Sequence, residues 1–78
     1  MPKLPNLTGN ELIKILYSLG FELIRAKGSH FRLKNPSGNI TTVPVHSNKT
    51  IPKGLLRKII REDLEMELDD FIEIINKV

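Results

Sequence analysis

KGSHFRLKNPSGNITTVPVH, residues 27–46, decides the fold, because its centre specifies a turn and both arms alternate polar and apolar residues. Asn35, Pro36, Ser37 and Gly38 follow type I turn chemistry, with Gly38 suited to the left-handed position of a three-residue hairpin loop. The flanking arms then pair antiparallel, Phe31 facing Val43 and Leu33 facing Thr41. The opposite side carries His30, Arg32 and Lys34 from one strand and Ile40, Thr42, Pro44 and His46 from the other, with His46 opposite Gly28. Both histidines fall on this polar side as diagonal neighbours, about 7–8 Å apart at the backbone. That span suits one shared phosphodiester.

Outward from the hairpin, FELIRA is rich in β-forming residues and ends at Lys27 and Gly28, which makes it the first strand of a three-stranded meander. Before it, LTGNELIKILYSLG predicts a helix over about residues 9–19. Thr8 and Glu11 form a capping box, Leu12, Ile15, Leu16 and Leu19 recur at helical spacing, and Gly20 suits the position just past the end. After the loop SNKTI, Pro52 suits the first turn of a second helix whose Leu55, Leu56, Ile59 and Ile60 form an apolar stripe. Lys53, Arg57 and Arg61 recur every four residues on its other side as a basic ridge. Leu68, Phe71, Ile72 and Ile75 mark a last helix over 68–78, with acids in its first turn where the helix dipole favours them. The order is α-β-β-β-α-α, an α+β fold. Helices one and two are expected to cover the Phe31, Leu33, Val43 and Val45 side, leaving the histidine side open to solvent.

A chain of 78 residues is expected to form one small domain, residues 1–78, with one core and no deep pocket. Cysteine is absent, which excludes disulfides, thiolate zinc sites and a Cys nucleophile and agrees with a reducing compartment. No run approaches the roughly 18 apolar residues of a membrane span, and the start MPKLPNLTG lacks a signal-peptide core, so a cytoplasmic location without membrane contact is expected. Two histidines with no thiolate, and dense carboxylates only near the end of the chain, match no metal motif. The glycines form no phosphate cradle of known spacing, and no small-molecule cofactor is expected.

The net charge of +3 conceals a division. Residues 1–61 hold eleven Lys and Arg against two Glu, a net +9, whereas residues 62–78 hold one Lys against seven acids, a net −6. A basic body suits a polyanion, because each neutralised phosphate releases counterions. A solvated surface without a partner is the plainer alternative.

Cleaving RNA without a metal requires removing the 2′-OH proton, stabilising charge on the phosphorane and protonating the 5′-oxygen that leaves. Histidine suits the proton steps, and Lys and Arg suit the charge. His30 has Lys27, Arg32 and His46 as neighbours on the hairpin, and Ser29 offers a hydroxyl to a phosphate oxygen. The candidate RNA-binding set is Lys27, Ser29, Arg32, Lys34 and His46 on the hairpin, Lys49 in the next loop, and Lys53 and Arg57 on the second helix. Each also has a structural use: His30 as a solvated strand residue, His46 as a backbone hydrogen-bonding partner, the helix ridge as a solvated face. Two other functions fit the same residues, namely an RNA-binding module without catalysis and an interaction domain for an acidic protein.

As an ordered set, GSH, a P-x-G turn, TVPVH and the K-x-I-x-x-G-x-L-x-x-I pattern that leads into the basic helix resemble the HicA family of toxin ribonucleases over nearly the whole chain. The resemblance implies a fold like a double-stranded-RNA-binding domain and a metal-independent endoribonuclease acting on mRNA, with His30 of the GSH triplet as its catalytic residue. It also implies a cognate HicB-type antitoxin as partner. His46 matches the family in position alone. The chain departs from the family pattern at Glu65, Met66 and Glu67, where a glycine followed by a Ser or Thr cap is common.

Overall fold

The computed structural model describes residues 3–77. Helix α1 (Gly9–Ser18) is followed by strands β1 (Glu22–Lys27), β2 (His30–Lys34) and β3 (Ile40–Pro44), helix α2 (Lys53–Lys58), a π-helical turn (Ile59–Asp63) and helix α3 (Leu68–Lys77). The sheet is antiparallel in the order β1-β2-β3, so β2, which carries His30, is held by ladders on both sides.

Helix α1 begins and ends as its sequence requires. The Thr8 backbone N–H donates to Glu11 Oε1 at 2.8 Å, and the Glu11 N–H donates to Thr8 Oγ1 at 3.2 Å, completing the capping box. At the other end Gly20 (φ +93°) supports a Schellman closure, the Phe21 N–H reaching the Leu16 carbonyl and the Gly20 N–H the Tyr17 carbonyl. The Thr8 N–H, and secondarily its hydroxyl, hold the Glu11 carboxyl below the usual carboxylate range. A depressed carboxylate pKa contributes stability that is present above the unfolded-state value and is lost as pH falls through the folded-state value. Glu11→Gln is therefore expected to melt below the wild type at neutral pH and to converge with it in acid, as thermal melts between about pH 2 and pH 7 will show.

The hairpin register is the one the turn predicts, with Phe31 opposite Val43 and Leu33 opposite Thr41. The Gly38 N–H donates to the Asn35 carbonyl at 3.0 Å, and Gly38 takes the left-handed conformation (φ +95°). Leu33 and Val43 are fully buried against Leu12 and Leu16 of α1, Leu56 of α2, Ile59 and Ile60 of the π turn and Phe71 of α3, so the helices share one face of the sheet. Leu4 and Leu7, which precede any helix or strand, also enter this core. They are held there by the Ile51 N–H, which donates to the Leu7 carbonyl at 2.7 Å, and by Lys53 Nζ, which donates to the Leu4 carbonyl.

Three features differ from the periodic reading. Pro52 is the residue before α2 rather than inside its first turn, with an extended backbone (ψ 137°). The second helix loosens into the π turn, closed by the Leu64 N–H on the Ile59 carbonyl and the Met66 N–H on the Ile60 carbonyl. That turn carries Asp63 to Thr41, the one buried polar side chain among the described residues, whose hydroxyl donates to Asp63 Oδ2 at 2.9 Å. Third, Glu65 takes the left-handed conformation (φ +52°), and its Oε1 accepts from Asn39 Nδ2 at 2.7 Å. The hairpin turn is thereby tied to the helical layer.

Candidate nucleic-acid interface on the open sheet face

The turn between β1 and β2 consists of Gly28 and Ser29 alone. Gly28 has φ +57° while Ser29 stays out of the left-handed region, the pattern of a type II′ turn, whose twist matches that of the strands it joins. This pairs Lys27 with His30 immediately beyond the turn. On its other side His30 is opposite Pro44, and the last link between the two arms is the Val45 N–H donating to the Ser29 carbonyl at 2.7 Å. His30, Arg32 and Lys34 are all exposed and alternate with half-buried Phe31 and buried Leu33.

Strand β1 contributes more to this face than its sequence suggests. The pairing runs Glu22 with Lys34 and Leu23 with Leu33, then shifts so that Arg25 is opposite Arg32 and Lys27 opposite His30. Ile24 is the extra residue of a β-bulge. One residue of slip reverses the phase, so Ala26 shares the side of Phe31 while Arg25 and Lys27 join His30 and Arg32. The open face therefore carries Arg25, Lys27, Arg32 and Lys34 around His30, with Glu22 as its one acid among the strand residues. The clue was the Leu23–Ile24 doublet, where two apolar residues in succession break the alternation.

The other candidate residues are distributed less compactly. Ser29 lies half-buried in the turn beside His30. His46 and Lys49 lie past the end of β3 in a tight turn, where the Lys49 N–H donates to the His46 carbonyl at 3.0 Å and Asn48 has φ +59°. The β2–β3 ladder thus stops short of His46, and the expected pairing of His46 with Gly28 is not among its contacts. Lys53, Arg57 and Arg61 do share a face, but they line a cleft of about 670 Å³ whose other wall holds Glu67 and Asp69. The acidic start of α3 offsets the ridge on which two of the candidate residues sit. From α2 it is Lys58 that faces the hairpin, sharing a groove with Arg32, Thr42 and Asp63. Among the described residues, no three His, Asp or Glu side chains converge as a metal site, and no helix is long and apolar enough to cross a membrane.

A three-stranded antiparallel meander with its helices on one face and a cationic, uncovered second face defines a small α+β protein of the double-stranded-RNA-binding-domain type. The family model for the HicA toxin of bacterial toxin–antitoxin systems matches residues 9–64, more than two thirds of the chain. The chain belongs to the HicA toxin family. Helix α3, with its acidic first turn, lies beyond the matched residues. No curated protein matches the chain in the corresponding comparison.

Proposed function

We propose that the chain is a toxin endoribonuclease that cleaves mRNA on the open face of its sheet without a metal ion, and that a HicB-type antitoxin holds it inactive by covering that face. The observation that carries this reading is the position of His30 on the central strand, exposed and flanked by Lys27, Arg32 and Ser29 on a face that the helices leave uncovered. His30 takes the proton from the 2′-OH or delivers one to the departing 5′-oxygen, while the 2′-oxygen bonds to phosphorus and the bond to the 5′-oxygen breaks. Lys27 holds the phosphorane's charge, Arg32 two residues along β2 adds positive potential beside it, and the Ser29 hydroxyl donates to a phosphate oxygen. For the second proton transfer, Lys27 stands directly opposite His30, whereas His46 lies past the paired region.

The second reading is a module that grips RNA without cutting it, favoured by the cations that continue from the hairpin to Lys58. Incubating labelled mRNA with the purified protein in excess EDTA separates the two. Cleavage products are expected, at a rate unchanged from that in magnesium. Intact RNA that migrates as a complex supports the binding module instead, and cleavage abolished by EDTA rules out the metal-independent chemistry.

A further inference from the structure

Arg25 and Arg32 stand directly opposite each other across the β1–β2 ladder. Residues in that relation hold their Cβ atoms about 4.5–5.5 Å apart, and like charges so placed destabilise the pair. Both side chains are exposed, and the one ion pair among the described residues is Lys77 with Glu73, at the far end of the chain. The single acid of the sheet face, Glu22, is opposite Lys34. Asp63 lines the same groove as Arg32 but is bonded to Thr41, so the two guanidinium groups are brought together without an ion pair to either of them among the described residues.

The bulge is what creates this pair. Were the alternation kept from Leu23, Arg25 would turn toward the helix side and Ala26 toward solvent. Ile24 instead interrupts the ladder, leaves its own side chain 52% exposed, and delivers Arg25 to the face of His30. An interrupted ladder, an exposed isoleucine and an opposed like-charge pair all reduce stability, and an anion between the two guanidinium groups removes the repulsion. Each guanidinium presents a planar fork of N–H donors that fits phosphate oxygens two at a time.

We propose that Arg25 and Arg32 form a clamp for a backbone phosphate adjacent to the one held at His30 and Lys27. The two pairs are successive on the open face, two residues apart on each strand, about 6.6 Å. That is close to one phosphate step along an extended RNA strand, so the chain of the RNA runs along β1 and β2 rather than across them. The proposal rests on the open face being where RNA is held, and it assigns Arg25 a binding role rather than a part in proton transfer.

The test is binding of a single-stranded 2′-O-methyl oligonucleotide, which has no 2′-OH to attack and cannot be cleaved this way, measured against salt for the full chain and for Arg25→Gln, Arg25→Lys, Arg32→Gln and the double Gln variant. Lys14→Gln, on the exposed side of α1, removes the same charge elsewhere. Each arginine-to-glutamine change is expected to weaken binding about tenfold and to lower the slope of log K against log salt by about 0.7, the value for one single-strand phosphate contact. The double variant is expected to bind little worse than either single one, Arg25→Lys to recover only part of the loss, and Lys14→Gln to stay within about twofold of the wild type. Relief of the like-charge pair should also raise the melting temperature of Arg25→Gln by about 1–5 °C, opposite in sign to a structural role. Binding by Arg25→Gln that equals that of the wild type or of Lys14→Gln overturns the clamp. If the wild type cuts unmodified RNA and Arg25→Gln matches it in KM, the clamp fails and the nuclease stands. If binding depends on both arginines and the wild type cuts nothing, the nuclease fails and the clamp stands.

Discussion

His30→Ala is expected to cut mRNA about 10²- to 10⁴-fold more slowly than the wild type, the usual contribution of one placed acid or base, while binding RNA within a few-fold. The separation of the two effects follows from position. His30 points to solvent from the central strand, where backbone pairing with Lys27 and Pro44 survives truncation of the side chain. Surface substitutions of this kind usually change stability by no more than about 0.5 kcal/mol, so circular dichroism and the melting temperature should match the wild type. The charge that holds the RNA comes from Arg25, Lys27, Arg32 and Lys34, all retained in the variant. Single-turnover rates with saturating protein isolate the chemical step, and a gel-shift titration with an uncleavable oligonucleotide isolates binding. A fall in affinity that accounts for the whole loss of rate makes His30 a phosphate ligand instead of a proton carrier. His30→Lys sharpens the comparison, because it keeps a cation at the site and should restore binding without restoring cleavage.

Where local chemistry determined structure, the sequence was legible. The Asn-Pro-Ser-Gly turn defined the β2–β3 register to the residue, the Thr8 and Glu11 pair marked the start of α1, and Gly20 marked its end. The open face followed, since register and alternation together place His30, Arg32 and Lys34 on one side. What escaped depends on contacts distant in sequence. Nothing in LLRKIIRED announces a π turn, because Leu55, Leu56, Ile59 and Ile60 fit an α-helix equally well; the widened turn is visible once Asp63 is bonded to Thr41 and Met66 closes on Ile60. Leu4 and Leu7 carry no periodicity, so their burial is a tertiary result of the Ile51 and Lys53 hydrogen bonds. The basic ridge is legible as a ridge, but the acids across the cleft come from a helix that periodicity cannot orient. His46 lost its pairing because β3 ends at Pro44 and the chain turns at Asn48. The bulge at Ile24 was signalled by an apolar doublet, but a doublet alone does not choose between a bulge and a buried edge.

Gly9→Ala is expected to lower the melting temperature by about 4–16 °C, although it replaces glycine by the best helix former in the first turn of α1. Gly9 is buried where α1 meets the end of β3. A Cβ there would press into the Pro44 carbonyl oxygen and stand 2.9 Å from the Val45 Cα, so the atoms in its way belong to backbone and cannot swing aside like a flexible side chain. Overpacking costs about 1–3 kcal/mol, and a clash with backbone atoms falls at about 2–3 kcal/mol of that range; the gain in helix propensity returns about 1 kcal/mol, which leaves a net loss of about 1–2 kcal/mol. Two movements can relieve the contact, and they differ in consequence. If α1 retreats, the Thr8 and Glu11 cap is disturbed and the core loosens at Leu12, but the open face keeps its shape. If the end of β3 retreats, Pro44 moves away from His30 and the Val45 hydrogen bond to Ser29 is strained, and both lie beside the residue proposed to move the proton. Cleavage measured well below the melting temperature, where the variant is folded, distinguishes them: an unchanged rate means that the helix yields, and a reduced rate means that the strand does. The β2–β3 ladder, the Val45 hydrogen bond to Ser29 and the Thr41 bond to Asp63 anchor β3 along its length, whereas the first turn of α1 is held by its own cap and, just before it, by the Ile51 hydrogen bond to Leu7 and the bridge of Thr8 with Thr50. The helix should therefore be the element that moves, giving a protein that is less stable but cleaves at close to the wild-type rate.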